Sequence, residues 1–118
     1  MNTLGREGEE LAVEFCKKKG YRILEKNYRT VFGEIDIIAR DKGVIVFIEV
    51  KTRADMAFGY PFEAVTRRKR EKIRKVALSF LKRLRKELPA RFDVLSINIQ
   101  GGRKQIEHIK DAFEVENP

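Results

Sequence analysis

The run Val44 to Lys51 (VIVFIEVK) constrains the fold more than any other stretch of the chain. It is apolar at every position through Ile48, so as a strand it would carry hydrophobic side chains on both faces. Such a strand is central in its sheet and covered on both sides. Glu49 follows directly, between Ile48 and Val50, and Lys51, two residues on, points to the same side of the sheet. The strand before it has the same anomaly, with Asp36 set among Ile35, Ile37 and Ile38. Bare carboxylates in such surroundings are costly unless paired or bound to metal.

Around this stretch the chain reads in order. Leu11, Ala12, Phe15 and Cys16 form a helical stripe over about Glu7 to Lys19, after a frayed lead-in from Met1 to Arg6. Glu9 and Glu10 then fall in the first turn and Lys17 to Lys19 in the last, where each suits the helix dipole. Gly20 stops the helix. Tyr21 to Arg29 is a first strand and Thr30 to Gly33 a turn. Glu34 to Arg40 is a second strand, with Glu34, Asp36 and Ile38 on one face and Ile35, Ile37 and Ala39 on the other. Asp41-Lys42-Gly43 makes the hairpin into the third strand. A three-residue loop with Arg40 facing Val44 puts Asp36 opposite Ile48, beside Glu49, and a small register change would bring the two carboxylates onto a shared edge.

Ala54 to Tyr60 is a loop, and Pro61 starts a long helix over about Phe62 to Glu87. Ile73, Val76, Ala77, Phe80, Leu81, Leu84 and Leu88 form its apolar stripe, and Pro89 ends it. Arg91 to Gln100 is a fourth strand, Gly101-Gly102 a turn, and Lys104 to Ile109 a short, polar edge strand. Phe113 anchors an otherwise acidic tail. The order is α-β-β-β-α-β-β: one α/β domain over residues 1–118, with a mixed β-sheet of about five strands flanked by helices. The long helix is the crossover that makes strands three and four parallel.

Composition narrows the function. Lys and Arg number 26 against 18 Asp and Glu, a net charge of +8 on 118 residues, which favours a polyanionic partner such as nucleic acid, or else serves solubility. Seven of the basic residues crowd into 67–75, with Glu71 the single acid among them. That face is either solvated or tracks phosphates. Cys16 is the only cysteine and His108 the only histidine, which excludes an intrachain disulfide, a cysteine-built zinc site and a His-pair metal site. No apolar run is long enough for a membrane span, and MNTLGREGEE lacks a signal-peptide core, so a cytoplasmic address is expected.

Asp36, Glu49 and Lys51 have the types needed for metal-assisted phosphodiester hydrolysis. Mg²⁺ takes one or two carboxylates plus waters and substrate phosphate, and the Val50 carbonyl is a further oxygen donor between them. Lys51 could orient the attacking water or stabilise developing charge. The bland alternative is a same-face Glu49–Lys51 ion pair, with Asp36 partnered by an arginine. Glu49-Val50-Lys51 is the only Glu-x-Lys or Asp-x-Lys in the chain.

Taken together, GREGEELAVEF, KKKGYRIL, NYR, GEIDIIARD, VFIEVKTR, FGYPFEAV with Lys69 and Ile73, RFDVLSI and HIKDAF resemble the bacterial YraN-like family of the restriction-endonuclease-like superfamily. More distantly the chain is similar to archaeal Holliday-junction resolvases. The resemblance implies a PD-(D/E)xK nuclease core, with Asp36, Glu49 and Lys51 at the catalytic positions and Asp36, Glu49 and the Val50 carbonyl holding Mg²⁺ or Mn²⁺. Ile35 stands where the superfamily motif often has proline, and the GEID form is usual for the YraN-like group. Similarity to the resolvases implies that Glu9 is a fourth acidic residue of the site, where spacing alone favours ordinary helix-end electrostatics. It also implies a homodimer, since resolvases act as two-fold dimers. The expected function is a metal-dependent DNA endonuclease, structure-selective in repair or recombination, or else a non-catalytic nucleic-acid-binding module on the same fold. Arg53, Arg67, Arg68, Lys69, Arg70 and Lys72 are the candidate nucleic-acid-binding residues.

Overall fold

The computed structural model describes residues 3–54 and 66–114. Among these residues two helices and five strands follow in the order α1 (Thr3–Lys18), β1 (Arg22–Thr30), β2 (Gly33–Asp41), β3 (Val44–Arg53), α2 (Arg67–Arg83), β4 (Ala90–Gln100) and β5 (Arg103–Phe113). The strands form one mixed sheet in sequence order. β3 and β4 are parallel, joined through α2, and every other neighbouring pair is antiparallel. This is the expected α-β-β-β-α-β-β arrangement, with β3 in the middle.

β3 shows why its sequence is apolar on both sides. Ile45 and Phe47 pack with Ile73, Val76, Ala77 and Phe80 of α2, while Val46 and Ile48 pack with Ala12 and Cys16 of α1. One helix therefore covers each face. Glu49 and Lys51 continue the Ile45–Phe47 side and face α2.

Helix α1 starts earlier than its apolar stripe suggests. Half-buried Leu4 and buried Gly8 extend the stripe of Leu11 and Ala12 by about one turn, so Thr3 to Arg6 are helical and not a frayed lead-in. Glu9 and Glu10 consequently lie beyond the first turn, which holds no acidic residue. At its other end Gly20 is left-handed (φ 87°), and the Tyr21 and Gly20 N–H groups donate to the Cys16 and Lys17 carbonyls, a Schellman ending. Gly8 is where α1 touches β3: a Cβ there would lie 1.9 Å from Thr52 Oγ1. Only glycine permits that approach.

The β2–β3 register is shifted by one residue from the expected pairing. Asp41 faces Val44 and Ile37 faces Ile48, because Lys42 adopts φ 55° and the chain turns in two residues. The Arg40 Nε donates to the Lys42 carbonyl at 2.8 Å and holds the turn. Strict alternation also fails at Asp36: Ile35 packs with Ile38 on the α2 side, and Ile37 and Ala39 pack on the α1 side.

Helix α2 is shorter than the expected 62–87. Thr66, extended at ψ 163°, is its N-cap and accepts the Lys69 N–H at 3.2 Å. Pro61 and residues 62–65, read as the helix start, lie outside the described residues, as do 55–60 of the loop and 115–118 of the tail. Leu84 ends the helix in an extended conformation. Leu84 and Leu88 still pack on the core, but from the connection into β4, where Pro89 disfavours helix at Leu88.

β5 is longer than the expected 104–109. Its register with β4 shifts between Phe92 and Val94, where Asp111 takes φ 53° and donates its N–H to Asp93 Oδ1 at 2.9 Å. Asp93 is fully buried. It also accepts from Arg91 Nε at 3.1 Å and meets His108 Nε2 at 2.7 Å. Burial alone would raise its pKa, but these hydrogen bonds hold it below the ordinary carboxylate value. The bulge lets Phe113 continue the strand and stack on Phe92.

Candidate active site

β2 and β3 are paired from their turn as far as Ile37 and Ile48, and the next residues along are Asp36 and Glu49. There the Asp36 carboxylate replaces a backbone partner: its Oδ2 accepts the Val50 N–H at 2.7 Å. Glu49, only 8% exposed, is met by two ammonium groups. Lys69 Nζ of α2 lies 2.6 Å from its Oε1, and Lys51 Nζ lies 3.5 Å from the same atom. The two strands thus bring Asp36 and Glu49 to adjacent positions, and α2 brings a lysine down onto them.

The charges are shared unevenly. Both cations go to Glu49, and among the described residues Asp36 has a backbone N–H but no arginine, contrary to the bland alternative for that residue. Burial, then the Glu49 charge, push the Asp36 pKa up to about 7, against the pull of the Val50 N–H; the charges of Glu9 and Glu34 add to the rise. Burial lowers the pKa of Lys51, and its hydrogen bond with Lys69 lowers it further. Burial would lower Lys69 as well, but hydrogen bonds to Glu49 and Lys51 outweigh it and raise that group.

Glu9 approaches from α1. It sits in the second turn, where the dipole has little to offer a carboxylate, so helix-end electrostatics does not account for it. Asn27 of β1, with its amide nitrogen turned inward, donates to Glu9 Oε1 at 3.3 Å and to Glu34 Oε1 at 3.1 Å. Its left-handed backbone (φ 51°) lies at the edge of the same cluster. Asn27 joins the site only through the fold. Its one sequence signal is its place in the NYR stretch.

Of the remaining candidates, Lys69 belongs with the carboxylates and not with the solvent-facing basic residues. Arg67, Arg68, Arg70 and Lys72 are exposed on α2, and Arg53 ends β3 half-buried. Val50 is engaged here through its N–H. Among the described residues no three His, Cys, Asp or Glu side chains gather closely enough to hold an ion by themselves. Two adjacent carboxylates, one pushed toward neutrality by burial and then by the charge of the other, are nonetheless a hard-oxygen donor set of the kind that suits Mg²⁺ with waters completing its shell.

Fold and cluster together define a small α/β protein with an acid–lysine site where its two central strands part. The chain belongs to the uncharacterised protein family UPF0102, whose model matches residues 8–97 and so spans Glu9, Asp36, Glu49, Lys51 and Lys69. It is 54% identical over 110 residues to a UPF0102 protein of Thermodesulfovibrio yellowstonii, covering 93% of this chain and 95% of that one. It is 50% identical over 114 residues to a UPF0102 protein of Geobacter metallireducens, covering 96% and 93%.

Proposed function

We propose that this protein is a metal-dependent nuclease of the restriction-endonuclease-like kind, acting on DNA in repair or recombination. The observation that carries the reading is Asp36, a half-buried carboxylate that pairs with no cation among the described residues, set beside Glu49 and pushed up to about 7. A site that served stability alone would neutralise Asp36, whereas a divalent cation would relieve both carboxylates at once. Asp36 and Glu49 would hold Mg²⁺ or Mn²⁺, with the Val50 carbonyl as a further donor. When bound, such an ion polarises a phosphodiester and lowers the pKa of a bound water. Lys51, beside Glu49, is placed to steady the charge that develops on the phosphoryl oxygens. Glu9, held by Asn27, adds negative charge on the α1 side. The exposed bases of α2 track the backbone phosphates. Two copies of the chain would supply the two sites that cutting both strands requires.

The test is incubation of the pure protein with plasmid, single-stranded and four-way-junction DNA in Mg²⁺ or Mn²⁺. Wild type cuts at least one substrate and Glu49→Ala cuts none; equal cutting by the two sinks the proposal. A second reading, a nucleic-acid-binding module without catalysis, draws on the Lys69–Glu49 contact, which already neutralises one carboxylate. It predicts salt-sensitive DNA binding that survives Asp36→Ala, with no cleavage of any substrate.

A further inference from the structure

Apart from the carboxylate cluster, the first turns of α2 and the β4–β5 edge enclose a pocket of about 360 Å³. Arg67, Arg70 and Arg74 line it from one side of the helix, at i, i+3 and i+7, and Phe92 and Phe113 line it from the sheet. The two rings are stacked with centroids 5.0 Å apart, so the floor is apolar and the wall is guanidinium. Among the described residues Glu71 and Glu114 also line it.

Two independent features point to an anion. Arg74 Nε is buried and has no hydrogen-bond partner among the described residues, although its Nη2 reaches Glu71 Oε2 at 3.3 Å. A buried charged donor left unmade is costly, and a bound acceptor would relieve it. The opening of α2 is also charged against its own dipole, with Arg67, Arg68, Lys69 and Arg70 and no acid in the first turn. A bound anion at this end would reverse both penalties. Glu71, half exposed, supplies the oxygen that such an anion would otherwise bring to Arg74.

We propose that this pocket binds the terminal phosphate monoester of a nucleic-acid strand, an inference that rests on the nucleic-acid reading above. A backbone diester continues on both sides and suits the exposed ridge of Arg68 and Lys72. A terminal monoester ends the chain, carries up to two charges near neutral pH, and suits a recess closed by two stacked rings and walled by several guanidinium forks. Phe92 and Phe113 also pack in the interior beside Glu49. β3 and β5 are two strand spacings apart, about 10 Å, or about three base rises along a strand. A strand end seated in the pocket therefore lies within a few nucleotides of Asp36 and Glu49.

The test uses metal-free full-length protein in EDTA, so that binding is read without cleavage. Short single-stranded DNAs of one sequence, carrying a 5′-phosphate, a 3′-phosphate or hydroxyls at both ends, are titrated by fluorescence anisotropy. One phosphorylated arm binds about ten-fold tighter than the hydroxyl arm, and which arm it is assigns the strand polarity. Arg74→Met erases the preference while hydroxyl-ended DNA binds within about two-fold of wild type. Arg70→Met, at an exposed position that leaves folding intact, also erases it, read as the ratio between arms because losing a phosphate-tracking charge weakens all three DNAs together. Glu71→Gln, by releasing Arg74, widens the preference. Equal binding of all three DNAs, or a preference that persists in both arginine variants, overturns the pocket and leaves the nucleic-acid reading standing. Failure of every DNA to bind sinks both.

Discussion

Asp36→Asn should make the metal-free protein more stable, although it removes a carboxylate from the heart of the site. In the native structure the Asp36 pKa rises from its ordinary 3.8 to about 7, chiefly through burial and the charge of Glu49. A rise of about three units is at most about 4 kcal/mol. Asp36 is half-buried and Lys51 and Lys69 lie nearby, so about 1–3 kcal/mol is the working figure. Below pH 3.8 the acid is protonated in both the folded and unfolded chain, and it contributes no pH dependence. Between pH 3.8 and about 7 the unfolded chain releases the proton while the folded chain keeps it, so wild type loses stability as pH rises. Asparagine cannot ionise, and its oxygen can still accept the Val50 N–H now held at 2.7 Å. Urea unfolding in EDTA should therefore show the variant ahead of wild type at pH 8, by about 4–12 °C in a parallel thermal scan, with the gap closing toward pH 4. A variant less stable than wild type at pH 8, or a gap that does not change with pH, would refute the electrostatic account of the site.

Three further outcomes follow from the packing and charge. Gly8→Ala forces a methyl group against Thr52 and should cost about 1–3 kcal/mol; the double variant with Thr52→Ala recovers only part of that loss in a denaturation cycle, because the Cβ at position 52 still lies 2.8 Å from the new methyl. Asp93→Ala strands Arg91, His108 and the Asp111 N–H without their acceptor and should cost about 3–5 kcal/mol. Because the Asp93 pKa is held below 3.8, its stabilisation is present above that pH and fades as pH falls through the lower native value; Asp93→Asn should blunt acid unfolding there. Lys69→Ala removes the ammonium 2.6 Å from Glu49 and should strengthen Mn²⁺ binding about ten-fold, measured by calorimetry, since a competing charge is gone.

Val44 to Ile48 could be read directly because a strand apolar on both faces has one home, the middle of a covered sheet. Asp36, Glu49 and Lys51 stood out for the complementary reason, as charges where hydrophobic side chains were due. The meeting of Asp36 with Glu49 was open to the last residue of register, and the left-handed Lys42, a residue type that gives no warning of that conformation, decided it. Lys69 looked like one more member of a basic run; only the docking of α2 sends it to Glu49 while its neighbours face solvent. Asn27 and the pocket lining of Phe92 and Phe113 join residues far apart in the chain, and no local period encodes such contacts. β5 outran its expected end because Asp93 satisfies the Asp111 N–H across a bulge, a tertiary contact that no strand propensity reflects.

The central claim is that Asp36 and Glu49 form a divalent-metal site, and it can be tested without guessing the nucleic-acid substrate. Mn²⁺ titrated into the protein by isothermal calorimetry should bind at one site per chain, with Asp36→Asn abolishing the heat while the variant remains folded. Absence of Mn²⁺ binding to wild type, or equal binding to Asp36→Asn, would contradict the account.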